Sequence, residues 1–292
     1  MPAYKNQHYV PQSVLNRFKN DSDELFYFFK GAPNKPVIHR NTEKIFSKSH
    51  LYSFEEKDGS RNTIVEAEFF KKLDTDVDPI ITKIVSLVRE NSLPRLTVGE
   101  KKTWNDFFIK QHARIPERFL SQDIKDSLDE NYKDIKNNIY DRCIPELQDM
   151  LDDPAFKERL QAESRAMSLT TDLVKSNEIL AQRGMFFARI HDSKKSFIIG
   201  SNPLVRCGNK GSDNLADPLT ELWYPIAHDI AVSIGSFEEA ETLHHLTKNI
   251  NHSKFINRIN RQIFVQSNEI AGRSKALIES IIHHFVKQSR SN

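Results

Sequence analysis

Two stretches of this 292-residue chain carry the spacing of amphipathic helices, and each follows a stretch of short, strand-like apolar segments. From Thr63, apolar residues recur every three to four positions, as they do on a helix with one buried face. The same spacing returns from Ile256 to Phe285, after short apolar runs in residues 185–235. This order is unlike the strict strand–helix alternation of a doubly wound parallel sheet. We therefore predict a helix-dominated α+β fold with short antiparallel strands near the N-terminus and in residues 185–235.

Proline, turn and capping residues predict where the elements begin and end. Pro79 is expected to kink or divide the first long helix. Thr97 and Glu100 have the spacing of a capping box, which places the start of the next helix there. Residues 120–182 are predicted to form two or more polar helices. Breaks in these helices are expected near Pro145 and Pro154. Short apolar runs bounded by turn residues predict strands elsewhere in the chain, at residues 23–29, 36–40, 50–54, 185–190, 196–200, 204–207, 222–227 and 230–235.

The domain organisation follows from the length of the chain and the order of its elements. A chain of this length forms about one or two domains. We predict a single intertwined domain over residues 1–292, since no repeat or low-complexity linker divides it. The alternative is two lobes, one formed by residues 1–120 with the C-terminal helix and the other by residues 121–245.

Composition excludes several classes of protein. The chain is 38% hydrophobic and 28% charged, which is typical of a globular protein. No apolar run approaches the roughly 18 residues of a membrane helix, and the start of the sequence lacks the pattern of a secretory signal. Cys143 and Cys207 lie outside any metal-binding spacing. We expect a cytoplasmic protein with no membrane partner and two free thiols, a Cys143–Cys207 disulfide being the alternative.

Charge is distributed unevenly along the chain. Residues 121–180 contain 14 acidic and 8 basic residues, whereas residues 244–292 contain 8 basic and 2 acidic residues. A basic face attracts nucleic acid or nucleotides. The alternative is that the two surfaces face each other, within the chain or across a homo-oligomer or protein partner. Two histidine pairs in the basic part are predicted to lie on exposed helix surface, His244–His245 and His283–His284.

The first motif that could carry chemistry is HYVPQ, at residues 8–12. His8 titrates near neutral pH and can act as an acid, a base or a metal ligand. Pro11 biases the preceding residue towards extended geometry, so the side chains of His8 and Tyr9 point in defined directions. In the alternative interpretation, His8 and Gln12 only tie the N-terminal segment to the fold through hydrogen bonds.

The second motif is WNDFFIKQHARIPERF, at residues 104–119. Gln111 continues an apolar stripe and should point inward, with Arg114 and Arg118 on or beside that face. Pro116 removes a helical hydrogen-bond donor, so the helix is expected to bend or end there. Two interpretations stay open. The arginines could form an anion site, because their planar fork suits carboxylate or phosphate, or they could form buried ion pairs with Glu66, Glu68 or Asp74.

Two further groups are less specific. Glu66 and Asp74 are eight residues apart and lie close to one helix face, and paired acids beside a histidine fit general acid–base or metal-assisted hydrolysis. Acids near a helix start also suit its positive end, which needs no function. The turn in IIGSNPLVR presents Ser201 and Asn202, although Asn and Ser before proline favour turns for structural reasons alone.

Taken together, these motifs resemble one family of mostly bacterial proteins that is described only as a domain of unknown function. The resemblance covers nearly the whole chain, to about residue 280. Two positions depart from the family pattern: Ser201 stands where Asp is usual, and Ala227-His228 replaces a small residue followed by proline. If the Asp is catalytic, its loss puts activity in doubt. The matching residues are His8, Tyr9, Val10, Pro11, Gln12, Leu15, Phe18, Glu66, Gln111, Arg114, Pro116, Asn202, Pro203 and Leu204, with a looser match at Pro225 and Ile226.

The resemblance supplies no reaction, but it implies that the motifs belong together. One hypothesis is a hydrolase acting on nucleic acid or nucleotides, for example a nuclease-like effector in phage defence. The other is a non-enzymatic binding or regulatory module in which the HYVPQ segment is a structural clasp. The sequence leaves any cofactor open and identifies no metal ligands. For the enzyme, the expected catalytic residues are His8, Glu66, Gln111 and Arg114, and the expected binding residues are Tyr9, Gln12, Arg118 and Asn202.

Overall fold

The computed structural model of the protein describes residues 6–171, 174–206, 214–237 and 241–289. Over these residues the chain has the predicted α+β fold, with helices predominating over short, mostly antiparallel strands. No helix in these ranges combines the length and apolar character needed to cross a membrane. Cys143 is a free thiol, whereas Cys207 lies outside the described residues.

The N-terminal part consists of short strands around one small helix. α1 begins directly after Pro11, whose φ of −58° suits a helix start. Strand β1 pairs antiparallel with β4, and β5 forms a hairpin with β6. The predicted strand at residues 50–54 is wrong, because His50 has a left-handed φ of 55° and starts a turn between β4 and β5. The elements are β1 (Asn6–His8), α1 (Gln12–Asn16), β2 (Phe26–Phe29), β3 (Ile38–His39), β4 (Ser47–Ser49), β5 (Phe54–Glu55) and β6 (Arg61–Asn62).

The central part is helical and begins with one π-helical turn, Val65–Phe70, that leads into α2. The capping box of Thr97 and Glu100 is present at the start of α3. Pro79 lies inside α2, and the helix continues through it, so of the two expected effects, a kink or a division, Pro79 does not divide the helix. The helices are α2 (Lys71–Arg89), α3 (Val98–Ala113), α4 (Pro116–Phe119), α5 (Gln122–Ile139), α6 (Pro145–Asp152), α7 (Pro154–Ser168) and α8 (Val174–Ala181). Pro116, Pro145 and Pro154 each occupy the first turn of a helix, which explains the breaks before them.

The remaining strands and two long helices complete the fold. A five-stranded sheet has the order β12-β7-β11-β10-β9, in which only the β12–β7 pair is parallel. A four-stranded sheet has the order β3-β2-β13-β8 and combines strands from the beginning, middle and end of the chain. The elements are β7 (Arg183–Ile190), β8 (Ile199–Gly200), β9 (Val205–Arg206), β10 (Leu222–Ala227), β11 (Ile230–Phe237), β12 (Thr242–Leu246), α9 (Ile250–Gln266), β13 (Glu269–Gly272) and α10 (Lys275–Ser289).

The helical spacing from Ile256 to Phe285 predicts one continuous helical stretch, and this prediction is wrong. Strand β13 interrupts it and places Ile270 in the centre of the four-stranded sheet, where it pairs with Phe28 and Gly200. Backbone hydrogen bonds on both edges of β13 outweigh the local preference for a helix. The helical assignment of His244 and His245 is also wrong, because they lie in β12.

Candidate functional site

The HYVPQ segment enters the protein as part of its core. The Tyr9 backbone N–H donates to the Phe46 carbonyl at 3.0 Å, and the Tyr9 side chain is buried. His8 Nε2 lies 3.3 Å from the Thr42 carbonyl oxygen and 3.2 Å from Gln12 Nε2. A neutral ring satisfies one of these contacts at a time, by donating to Thr42 or by accepting from Gln12. Burial lowers the pKa of His8, against the effect of the Thr42 carbonyl, so the ring is neutral near pH 7.

Gln111 joins this segment to α3. Its side chain is fully buried, as its position on the apolar stripe predicts. Its Nε2 donates to the main-chain carbonyl of Tyr9 at 2.6 Å. Its Oε1 accepts from Nε and Nη2 of Arg114 at 3.1 and 2.7 Å. The amide therefore bridges the N-terminal segment and the arginine, and all of its strong hydrogen-bonding groups face inward.

Arg114 is buried in an ion pair with α2. Its Nη1 donates to both carboxylate oxygens of Asp74, at 3.0 and 3.2 Å. The guanidinium carbon lies 5.0 Å from the ring centroid of Phe70 and 5.9 Å from that of Phe107. Tyr52 donates from its hydroxyl to the Arg114 carbonyl, where α3 ends. Of the two interpretations left open by the sequence, the structure shows the buried ion pair, with Asp74 as the partner.

Glu66 lies beside this ion pair without a hydrogen bond to it. It belongs to the π-helical turn before α2, and its buried Oε2 has no hydrogen-bond partner among the residues that the structure describes. Burial raises the pKa of Glu66 to about 7; Arg114 opposes this shift and Asp74 adds to it. The Tyr224 hydroxyl, near the same charges, is also buried and without a partner. Tyr52 and Tyr224 are the members of this cluster that sequence analysis missed, because tyrosines in short strands and turns carry no distinctive spacing.

A second polar cluster adjoins the first through Tyr9. The Tyr9 hydroxyl donates to Glu269 Oε1 at 2.5 Å, and Tyr27 donates to Glu269 Oε2 at 2.9 Å. Burial raises the pKa of Tyr9, and the neighbouring Glu269 carboxylate adds to the shift. Glu269 lies on β13, inside the stretch that sequence analysis assigned to a helix. No local signal identifies it, since its role depends on the pairing of β13 with β2.

The turn after β8 meets this second cluster. Ser201 Oγ donates to Glu117 Oε1 at 3.0 Å, and Asn268 Nδ2 donates to the same oxygen at 2.8 Å. Glu117 Oε2 is buried and has no hydrogen-bond partner within the described ranges. Asn202 holds the turn mainly through its backbone, which contacts the Ser267 and Gln266 side chains, and its Oδ1 is buried without a partner. The HYVPQ, Gln111–Arg114 and Ser201–Asn202 motifs thus lie in adjoining networks.

One predicted binding residue, Arg118, differs from Arg114 in its exposure. Arg118 is exposed on α4, whereas the side chain of Arg114 at the end of α3 is fully buried. Within the described ranges, no group of three or more His, Cys, Asp or Glu side chains is arranged to hold a metal ion.

Comparison with known families gives one match over most of the chain. A family model described as a protein of unknown function, DUF4238, matches residues 6–276. The chain belongs to this family. No curated protein and no solved structure matches the chain. The DUF4238 description names no activity.

In this DUF4238 chain, Ser201 occupies a position from which an aspartate would point at Glu117. The serine hydroxyl donates to that carboxylate, and it also accepts from the backbone N–H of Asn268 at 2.9 Å. An ionised aspartate could accept but could not donate. An ionised aspartate in place of Ser201 would set a second carboxylate beside Glu117, and the serine avoids that repulsion.

Proposed function

We propose that the protein is a non-enzymatic binding or regulatory module in which the HYVPQ segment is a structural clasp. One observation carries this proposal: the hydrogen-bond donors of the Arg114 side chain are occupied by partners inside the protein. Its fully buried guanidinium is held by Asp74 and Gln111, and Gln111 in turn holds the Tyr9 backbone. An anion could reach Arg114 only by displacing Asp74, at the cost of leaving a buried charge unpaired.

The clasp has a thermodynamic signature that differs from that of an active site. Truncating His8 or Gln111 leaves buried polar partners unsatisfied, so both His8→Ala and Gln111→Ala should lower the melting temperature. Purified protein is incubated with RNA, DNA and nucleotides, with and without divalent metal, and no turnover is expected. Turnover by the wild type that disappears in His8→Ala at an unchanged melting temperature would overturn the clasp.

A second candidate function is a hydrolase acting on nucleic acid or nucleotides, such as a nuclease-like effector in bacterial phage defence. One observation favours it: Glu66 has a pKa of about 7 and an oxygen without a partner, and a carboxyl poised near neutral pH suits general acid–base catalysis. Glu66→Gln keeps the shape of the side chain but cannot exchange a proton. This candidate requires that the wild type cleave one of these substrates and that Glu66→Gln, folded as the wild type, fail to do so.

A further inference from the structure

A basic groove lies between α9 and α10. Helix α9 contains three cationic residues and no acidic residue. Lys254, Arg258 and Arg261 are spaced by four and three residues, so they share one face of the helix. All three are exposed and line the same groove, whose volume is about 470 Å³. Three of the eight basic residues of the C-terminal sequence therefore lie at one concave surface.

The opposite wall of the groove is apolar and aromatic. It is formed by α10, where Leu277, Ile281 and Phe285 line the groove together with the polar side chains of Ser280 and His284. The Phe285 ring stacks on Phe264 with centroids 4.5 Å apart, and the Arg261 guanidinium lies 5.5 Å from the Phe285 centroid. These contacts hold an aromatic surface next to the row of cations.

The groove cations have no carboxylate to neutralise them among the described residues. None of the ion pairs among the described residues involves Lys254, Arg258 or Arg261. The acidic residue of α10, Glu279, is paired with Lys275 at 3.7 Å. Three cations that share a groove repel one another, and a polyanion relieves this repulsion while releasing its own counterions.

We propose that the α9–α10 groove binds single-stranded nucleic acid. Lys254 and Arg261 are separated by about 10 Å along the helix axis. Phosphates in one strand of a duplex are about 3.4 Å apart along its axis, and they lie further apart in an extended single strand. The row of three cations is therefore long enough to contact a few consecutive phosphates. Phe264 covers one face of the Phe285 ring and the Arg261 guanidinium the other. A base would take the place of Arg261 on that second face, stacking as bases do in single-strand binding proteins, and Arg261 would turn to a phosphate. This inference rests on the proposed binding function and names its partner.

A second copy of the chain is the competing occupant. The α5 surface carries Asp126, Asp129, Glu130 and Asp134, and it could cover the cations of another protomer. Within one chain, α5 packs mainly on α7, whereas α9 packs on β8, β9 and β13. The test therefore has to separate nucleic-acid binding from self-association.

The experiment measures fluorescence anisotropy of a labelled 12-nucleotide single strand, as RNA and as DNA, with the full chain. The charge variant combines Lys254→Gln, Arg258→Gln and Arg261→Gln. It should weaken binding at least tenfold and reduce the slope of log K against log salt by about 2, because three phosphate contacts are lost. A matched duplex should bind more weakly than the single strand.

The control variant removes the same charge elsewhere, with Lys57→Gln, Arg61→Gln and Arg95→Gln, which are all exposed. It should bind as the wild type does. Phe285→Leu should weaken binding severalfold at an unchanged salt slope, with its melting temperature measured to confirm folding.

Three binding results would overturn the inference: no binding of single strands by the wild type, an equal loss of affinity in the control variant, or equal affinity for the duplex. A salt-sensitive dimer in light scattering that the charge variant abolishes would also overturn it, since the cations would then serve self-association. The clasp is tested on the melting temperature of His8→Ala, which leaves the groove intact. Either proposal can therefore fail without the other.

Discussion

The side-chain amide of Gln111 donates a 2.6 Å hydrogen bond to the main-chain carbonyl of Tyr9, 102 residues earlier in the chain. This contact joins the first strand region to a central helix. Tyr9, Val10, Val14 and Leu15 are all buried around it. Terminal segments usually fray unless they are tied down, and here a buried amide and apolar packing tie this one down.

Gln111→Ala should destabilise the protein by about 1–3 kcal/mol, because it leaves the Tyr9 carbonyl and two Arg114 donors unsatisfied in the core. Urea denaturation measures the effect. Gln122→Ala, which removes an exposed hydrogen bond to Asp126 on α5, is the control and should change stability by less than about 0.5 kcal/mol. Similar losses in the two variants would contradict a special role for Gln111.

Asp74→Asn should cost about 3 kcal/mol, since it leaves the buried Arg114 charge without its carboxylate. Asp76→Asn is a matched control on the same helix. It breaks an exposed ion pair with Lys72, which is worth less than about 1 kcal/mol. Chemical denaturation at pH 7 gives the free energy of unfolding of both variants. An equal loss of stability in the two would mean that the buried Arg114 charge does not need the Asp74 carboxylate.

Glu66 should make the protein less stable as the pH rises, whereas an ordinary salt-bridged acid makes a protein more stable as the pH rises. Its pKa is about 7 in the folded protein and about 4.3 in the unfolded chain. The stabilisation that Glu66 gives the folded protein is therefore complete at about pH 4 and is lost as the pH rises through 7. The loss amounts to up to about 4 kcal/mol. Glu66→Gln should remove this dependence and be more stable than the wild type at pH 8.

Thermal melts between pH 5 and 8 test the role of Glu66. Glu68→Gln, two residues away and exposed, is the control and should retain the wild-type pH slope. If Glu66→Gln keeps the same slope, the folded carboxyl is ionised at neutral pH and the expectation fails.

Ser201→Asp should destabilise the protein, and increasingly so as the pH rises. The aspartate loses the hydrogen bond that Ser201 donates to Glu117 and places a second carboxylate beside it. One of the two then holds a proton with a raised pKa, so its contribution to stability falls as the pH rises through that pKa. At pH 8 we expect a loss of about 1–2 kcal/mol. Ser201→Asn, of similar size but uncharged, should show no such pH slope in the same melts.

Much of this architecture could be predicted from the sequence, because the signals are local. Helical spacing, the Thr97–Glu100 capping box and the break at Pro116 depend on neighbouring residues only, and the structure confirms all three. The inward direction of Gln111 follows from its place on an apolar stripe, and it is fully buried. These features are set by residues within a few positions of one another.

Tertiary structure decided the rest, because it depends on pairs of residues that are distant in the chain. Ile263, Ile270 and Leu277 are spaced as on one helix, yet β13 forms because β2 and β8 offer it hydrogen bonds on both edges. That strand brings Glu269 to Tyr9 across 260 positions. Likewise, the sequence offered three acids for the buried arginine, and only the packing of α2 against α3 selected Asp74.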